Sequence, residues 1–107
     1  FNGQTFAFSG YIPAKTDERR QALKSLERRS ASEHQTQIFI ETPYRNESLF
    51  ADILNICQNS TELCIAANIT MPDAFIRTKT IAEWKKFAAG KNEVIGKRPC
   101  VFLILGH

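Results

Sequence analysis

Gln37-Ile38-Phe39-Ile40-Glu41-Thr42-Pro43-Tyr44-Arg45 carries an apolar run into a carboxylate, a Thr-Pro pair and an arginine. Ile38 to Ile40 reads as a short buried strand. Thr42 suits an N-cap and Pro43 the first helical position. Beyond them Leu49, Phe50, Ile53, Leu54 and Cys57 recur at helical spacing, which predicts an amphipathic helix from Tyr44 to Cys57. Open α/β sheets bind ligands where strands end and hand over to helices. The stretch therefore predicts an α/β domain with a cleft beside Glu41.

Upstream, Thr5 to Ile12 has Phe6 and Phe8 at strand spacing and is closed by Pro13. Gly10 inside it signals a bulge or the close approach of another group. Thr16 is expected to cap a helix with Asp17 and Glu18 in its first turn. The apolar stripe of that helix is thin, Ala22, Leu23 and Leu26, set among Arg19, Arg20, Lys24, Glu27, Arg28 and Arg29. It is expected on the surface, its basic face either solvated or in contact with RNA or phosphate. Ser30 to Gln35 reads as a polar loop holding His34.

Downstream, Gln58-Asn59-Ser60 is a turn and Leu63 to Ala67 a second apolar strand. Asn68 to Asp73 is a loop, and Phe75 to Thr78 a brief strand. Thr80-Ile81-Ala82-Glu83 is a capping box that opens a short helix towards Phe87. After a polar loop over 88–98, Cys100 to Leu105 is the most apolar run, ended by Gly106. LCIAA and CVFLIL lack in/out alternation, so both faces of the sheet are expected to be covered.

With 107 residues, 43% of them apolar and 23% charged, the chain has material for one ordinary core. A net charge of +3 permits an anionic partner without requiring one. No apolar run approaches the roughly 20 residues of a membrane helix, and no basic-then-apolar leader marks secretion. Cys57, Cys64 and Cys100 sit singly in apolar segments, which predicts buried reduced thiols and a cytoplasmic setting. Asn-x-Ser/Thr triplets at Asn46, Asn59 and Asn68 are read as chance. Opening on Phe1-Asn2-Gly3, with no initiator Met, the chain is expected to be a segment of a longer protein.

The sequence holds no Gly-rich phosphate loop, no nucleophile elbow and no His-based triad or metal spacing, His34 and His107 being in a loop and at the terminus. Polar residues just past strand ends remain. Glu41 and Arg45 either pair to tie the helix to the sheet or edge a cleft at a helix start. Asn68 and Thr70 either cap their loop or face the same cleft. Arg77 and Lys79 are either solvated charges or substrate contacts.

Several phrases, taken together and in order, resemble the C-terminal half of the SAM-dependent tetrapyrrole-methylase superfamily. The similarity is to its branch of small-subunit ribosomal RNA (cytidine-2′-O)-methyltransferases and their relatives. F-x-F-x-G-F-L-P-x-K…R is matched by Phe6, Phe8, Gly10, Tyr11, Ile12, Pro13, Lys15 and Arg19. F-Y-E-S-P-H-R is matched by Phe39, Glu41, Pro43 and Arg45; V-A-R-E-L-T-K by Ile65, Ala66, Ile69 and Thr70; R-G-T-L-x-E by Arg77, Thr80, Ile81 and Glu83. Asn68 stands where the family phrase has Glu, Met71 where it has Lys, and Thr78-Lys79 where a Gly would precede the Thr.

The resemblance implies that residues 1–107 form the C-terminal domain of a two-domain, homodimeric methyltransferase whose N-terminal domain lies outside this chain. It implies a mixed sheet of about five strands flanked by helices. S-adenosylmethionine would lie between the halves, held by backbone groups at Ile40, Glu41, Ala66, Ala67, Pro99 and Cys100. Tyr11, Arg45, Asn68 and Arg77 would face the substrate, an RNA or a tetrapyrrole-like heterocycle. No metal is implied, and the fragment alone is expected to be inactive. On this reading Glu41 and Arg45 brace the helix start while the Ile40–Glu41 peptide groups touch the cofactor. The competing expectation is a stand-alone α/β module that binds nucleic acid or dimerises without catalysis.

Overall fold

A computed structural model of the chain describes residues 5–13, 15–68, 71–72, 74–91, 94–96 and 99–106. Its elements are β1 (Thr5–Tyr11), α1 (Thr16–Glu33), β2 (Gln35–Glu41), a 3-10 turn (Pro43–Arg45), α2 (Asn46–Ile56), β3 (Glu62–Ala67), β4 (Phe75–Thr80), α3 (Ile81–Ala88) and β5 (Cys100–Leu105). The strands form one mixed sheet in the order β1-β2-β5-β3-β4. β1 and β2 run parallel, and the other three pairings are antiparallel. The expected α/β class and five-stranded mixed sheet are both present.

Side-chain alternation divides the sheet. Phe39, Phe102, Ile65, Leu63 and Ile104 project to one side, where they meet Leu23 and Leu26 of α1, Leu49, Phe50 and Ile53 of α2, and Ile81 and Trp84 of α3. Phe39 stacks on Phe102 at 5.7 Å, and Trp84 meets Phe50 edge-on at 5.5 Å. The Trp84 indole N–H donates to the Leu63 carbonyl at 2.8 Å, so the ring is buried without an orphaned donor. Every strand residue in this core belongs to the one face. On the other face Ile38, Ile40, Val101 and Leu103 are half-buried, while Phe8 and Ile76 are 68% and 62% exposed. Cover on both faces was expected; the three described helices pack on a single face. Apolar runs without alternation report that a strand is central, not how many layers cover it.

α1 departs most from the sequence expectation. It runs through Glu33, so Ser30 to Glu33 are helix rather than loop, and His34 closes it in the left-handed conformation with φ 51°. Thr16 does not cap it: Lys15 is the flanking residue, and no side-chain cap bond forms there. Its buried stripe is Arg19, Leu23, Leu26 and Ser30, at spacings of four, three and four, with polar residues at both ends. Ser30 sits against the end of β5, its hydroxyl donating to the Ile104 carbonyl and accepting from the Gly106 N–H.

Shorter elements follow local chemistry. Pro43 starts a 3-10 turn, and α2 proper begins at Asn46. The Thr80–Glu83 capping box is formed in both directions. In β1 the register to β2 slips between Phe8 and Gly10, leaving Ser9 as an extra residue, and Gly10 takes φ +70°. Cys57, Cys64 and Cys100 are buried free thiols.

Candidate functional site: a pocket at the strand ends

Since β2 is parallel to β1 and β5 opposes both β2 and β3, one edge of the sheet collects the carboxyl ends of β1, β2 and β3 with the start of β5. Tyr11, Ile40, Val101 and Ala66 stand side by side in register, and Glu41, Cys100 and Ala67 form the next row. A pocket of about 750 Å³ opens there. Of the site residues expected from sequence, Tyr11, Ile40, Glu41, Ala66, Asn68, Pro99 and Cys100 line it. Thr42, Pro43, Met71 and Val101 complete the lining and were not foreseen.

Three expected residues lie elsewhere. Ala67 is fully buried beneath the pocket, in the core. Arg45 stands beside the site, with its side chain half exposed and its guanidinium 3.7 Å from Glu41. Arg77 belongs to β4 and lies over the rings of Phe75 and Phe87. Thr70, the remaining expectation, lies outside the described residues.

The pocket wall is fixed by a buried charge network. Glu41, at 4% exposure, has one carboxylate oxygen 3.4 Å from Arg19, while the other accepts the Thr42 N–H at 2.8 Å and faces Arg45. Arg19, at 3% exposure, also meets Asp52 at 3.1 Å and the Ser48 hydroxyl at 2.9 Å. One guanidinium thus joins α1, β2 and α2, and each buried charge has an opposite charge beside it, the condition under which such groups are tolerated. The run of charges around Arg19 suggested a solvated face; only its place in the Phe6–Arg19 phrase set it apart.

At the rim, the Asn68 N–H donates to the Pro99 carbonyl at 2.9 Å, with Asn68 at φ 51°. That bond ties the exit of β3 to the entry of β5. Among the described residues the lining contains no Lys, Arg or His, and its carboxylate there, Glu41, is engaged by the network. Ala66 leaves room above the sheet, and Ile40, Val101, Pro43 and Met71 make the surface largely apolar. Such a surface suits a neutral planar group read by strand-end peptide groups. Among the described residues no cluster of His, Cys, Asp or Glu is placed to hold a metal, and no helix is long and apolar enough to cross a membrane.

A second pocket of about 590 Å³ lies by the far edge of the sheet, bordered by Lys24, Glu27, Arg28, Gln58, Thr61 and Gly106. Its carboxylate is occupied, Glu27 accepting from the Gln58 N–H and the Thr61 hydroxyl. None of the expected site residues is there.

No protein-family model matches the chain. Among curated proteins it is 29% identical over 102 residues to ribosomal RNA small subunit methyltransferase I of Pseudomonas aeruginosa, covering 94% of this chain and 34% of that protein. It is 30% identical over 105 residues to the protein of the same name from Escherichia coli O157:H7, covering 95% and 34%. The chain therefore spans about a third of the length of these relatives. Among solved structures it superposes on the methyltransferase CobJ with a TM-score of 0.57 at 11% identity, covering 98% of this chain and 47% of that one. It superposes on the cobalamin biosynthetic enzyme cobalt precorrin-4 methyltransferase, CbiF, with a TM-score of 0.56 at 15% identity, covering 95% and 40%. At those identities the structural likeness speaks for the fold, and the curated relatives supply the branch. In sequence the chain is similar to ribosomal RNA small subunit methyltransferase I, and in fold to the tetrapyrrole methylases CobJ and CbiF.

Proposed function

We propose that the chain is the C-terminal half of an S-adenosylmethionine-dependent methyltransferase, a cytoplasmic homodimer that acts on RNA. The observation that carries this reading is convergence: seven expected site residues, drawn from three strand ends and the approach to a fourth strand, line a single pocket. Its volume falls within the range of small-molecule sites, and its largely apolar described lining favours a nucleoside. An N-terminal half outside this chain would form the opposite wall. The RNA acceptor follows from the relatives; a small heterocycle is the other acceptor that fits the fold family.

When bound, S-adenosylmethionine supplies an electrophilic sulfonium methyl group. The part played by this chain is positional, and positioning accounts for much of the rate of an in-line displacement. Peptide groups at Ile40–Glu41 and Pro99–Cys100 would read the edge of the base. Tyr11, 66% exposed at the mouth, offers a ring for stacking or for guiding the acceptor. The Arg19–Glu41 network keeps the Ile40–Glu41 peptide from shifting.

The test is calorimetry with S-adenosylhomocysteine on the protein carrying this chain, wild type against Ala66→Trp. Ala66 lies on the face without helices and outside the core cluster, so an indole there fills the pocket without displacing the core. Loss of binding with an unchanged circular dichroism spectrum is expected. Unchanged affinity would overturn the assignment of the site.

A further inference from the structure

The positive charge of the chain is gathered at one corner. Residues 74–91 carry Arg77, Lys79, Lys85, Lys86 and Lys91 against a single carboxylate, Glu83. By contrast α1, which looks basic on inspection, balances Arg19, Arg20, Lys24, Arg28 and Arg29 with Asp17, Glu18, Glu27 and Glu33. Arg19, moreover, is buried.

Within the corner, three cations converge on one ring. Arg77, Lys79 and Lys91 lie 5.4, 5.1 and 4.8 Å from the centroid of Phe87. Phe87 is itself held edge-on against the buried Trp84 at 5.6 Å. The ring attracts each cation through its quadrupole yet carries no net charge, so it holds the three together without neutralising them. Among the described residues none of the three is in an ion pair; the ion pairs there belong to Arg19 and Arg45. Glu83, bound in the capping box by the Thr80 N–H and hydroxyl, is the one carboxylate of this segment and offsets part of the charge of Lys79 and Lys86. Like charges held close in excess of the counter-charge beside them repel one another, and a polyanion relieves that repulsion.

The strand that carries the corner neighbours one that lines the pocket, on the other side of the sheet. β4 is the edge strand of the sheet, and Ile76 stands in register with Ala66, which lines the pocket one strand away. Arg77 follows Ile76 on the opposite face of β4, beside α3.

We propose that the β4–α3 corner, with Arg77, Lys79 and Lys91 gathered on Phe87, docks the phosphate backbone of RNA and leads a nucleotide towards the strand-end pocket. The proposal rests on the RNA acceptor suggested above and adds the surface that engages it. Backbone docking of this kind carries no base specificity and depends steeply on salt.

The experiment is fluorescence anisotropy of a short fluorescein-labelled RNA hairpin with the protein carrying this chain, titrated between about 50 and 200 mM salt. For the triple variant Arg77→Gln, Lys79→Gln, Lys91→Gln, the plot of log affinity against log salt should be shallower by about two, from roughly 0.7 per lost phosphate contact. The charge-keeping triple Arg77→Lys, Lys79→Arg, Lys91→Arg should retain the wild-type slope. So should Lys24→Gln with Arg28→Gln on α1. Wild-type slope and affinity in the Gln triple, or loss of binding in the α1 pair instead, overturns the proposal. Parallel calorimetry with S-adenosylhomocysteine separates the two readings. A wild-type protein that binds the nucleoside but no RNA removes this docking surface and leaves the pocket assignment standing. RNA binding lost only in the Gln triple, with no nucleoside binding by the wild type, upholds the docking surface and removes the cofactor reading.

Discussion

Replacing Arg19 with methionine tests how the pocket wall is held. The guanidinium is 3% exposed, lies 3.4 Å from the buried Glu41 carboxylate and 3.1 Å from Asp52, and donates to Ser48 at 2.9 Å. Methionine fills most of the same volume, so the loss is of charge and hydrogen bonds more than of packing. Breaking a buried pair from one side typically costs about 3–5 kcal/mol, because the partner charge is stranded. Two features place Arg19→Met near the lower end. Glu41 keeps the Thr42 N–H at 2.8 Å and the half-exposed Arg45 at 3.7 Å, and the Asp52 side chain, 15% exposed, can turn towards water. The expected loss is therefore about 3 kcal/mol.

Adding Glu41→Gln removes the stranded charge, so the double variant should be less destabilised than the sum of the two single changes by about 1–2 kcal/mol. Arg19→Lys should rescue little, since a single ammonium cannot span Glu41, Asp52 and Ser48 together. Urea unfolding followed by far-UV circular dichroism gives all four free energies by linear extrapolation. A cost below about 1 kcal/mol for Arg19→Met, or additivity within about 0.5 kcal/mol for the pair, would refute the account of a network under mutual obligation.

Two further outcomes are expected. Burial, followed by the nearby Glu27, pushes the Cys57 thiol up from 9.0 to about 12. The folded state favours the neutral thiol, so this stabilising contribution is complete below pH 9 and declines as the unfolded thiol ionises between pH 9 and about 12. The stability lost on changing Cys57→Ala should therefore shrink by about 1.4 kcal/mol between pH 8 and pH 10 in paired urea titrations; a constant difference refutes the assignment. A methyl group at Gly106 would come within 2.8 Å of the Glu27 carbonyl oxygen and 3.1 Å of the Ala31 Cβ. That carbonyl is helix backbone and cannot swing away, so Gly106→Ala should cost about 1–3 kcal/mol by separating β5 from α1. A thermal melt indistinguishable from wild type would contradict that close approach.

What the sequence disclosed follows from how each feature is encoded. β3 and β5 are continuous apolar runs, α2 has a firm helical stripe, and α3 begins with a reciprocal capping box, so local chemistry and final structure agree there. α1 was cut short because its buried stripe begins at Arg19 and ends at Ser30, and both read as solvent-facing until Glu41 and the end of β5 supply their partners. The single covered face was illegible for a related reason: half-buried Val101 and Leu103 are as apolar as buried Phe102 and Ile104. At the site, Ile40, Ala66 and Cys100 could be named because strand ends were visible. Val101 was not, since nothing in CVFLIL tells which side each residue takes. Arg77 was grouped with the pocket on a short phrase, whereas its parity in β4 turns it to the helix side.

The extra residue in β1 sets the phase of the strand. Without the bulge, Ser9 would pair with Phe39, Tyr11 would fall on the same side as Ala7 and meet the core, and Ile12, now 5% exposed within it, would turn outward. With it, Phe6, Phe8 and Tyr11 share one side although the last interval is odd, and the ring at the pocket mouth is placed by a neighbour with no chemistry of its own. The bulge is thus part of the recognition code: a change that drew Ser9 into the ladder would rewrite the pocket as thoroughly as a change of Tyr11, while leaving every residue named as lining it in the sequence, whereas deleting Ser9 would leave Tyr11 opposite Ile40.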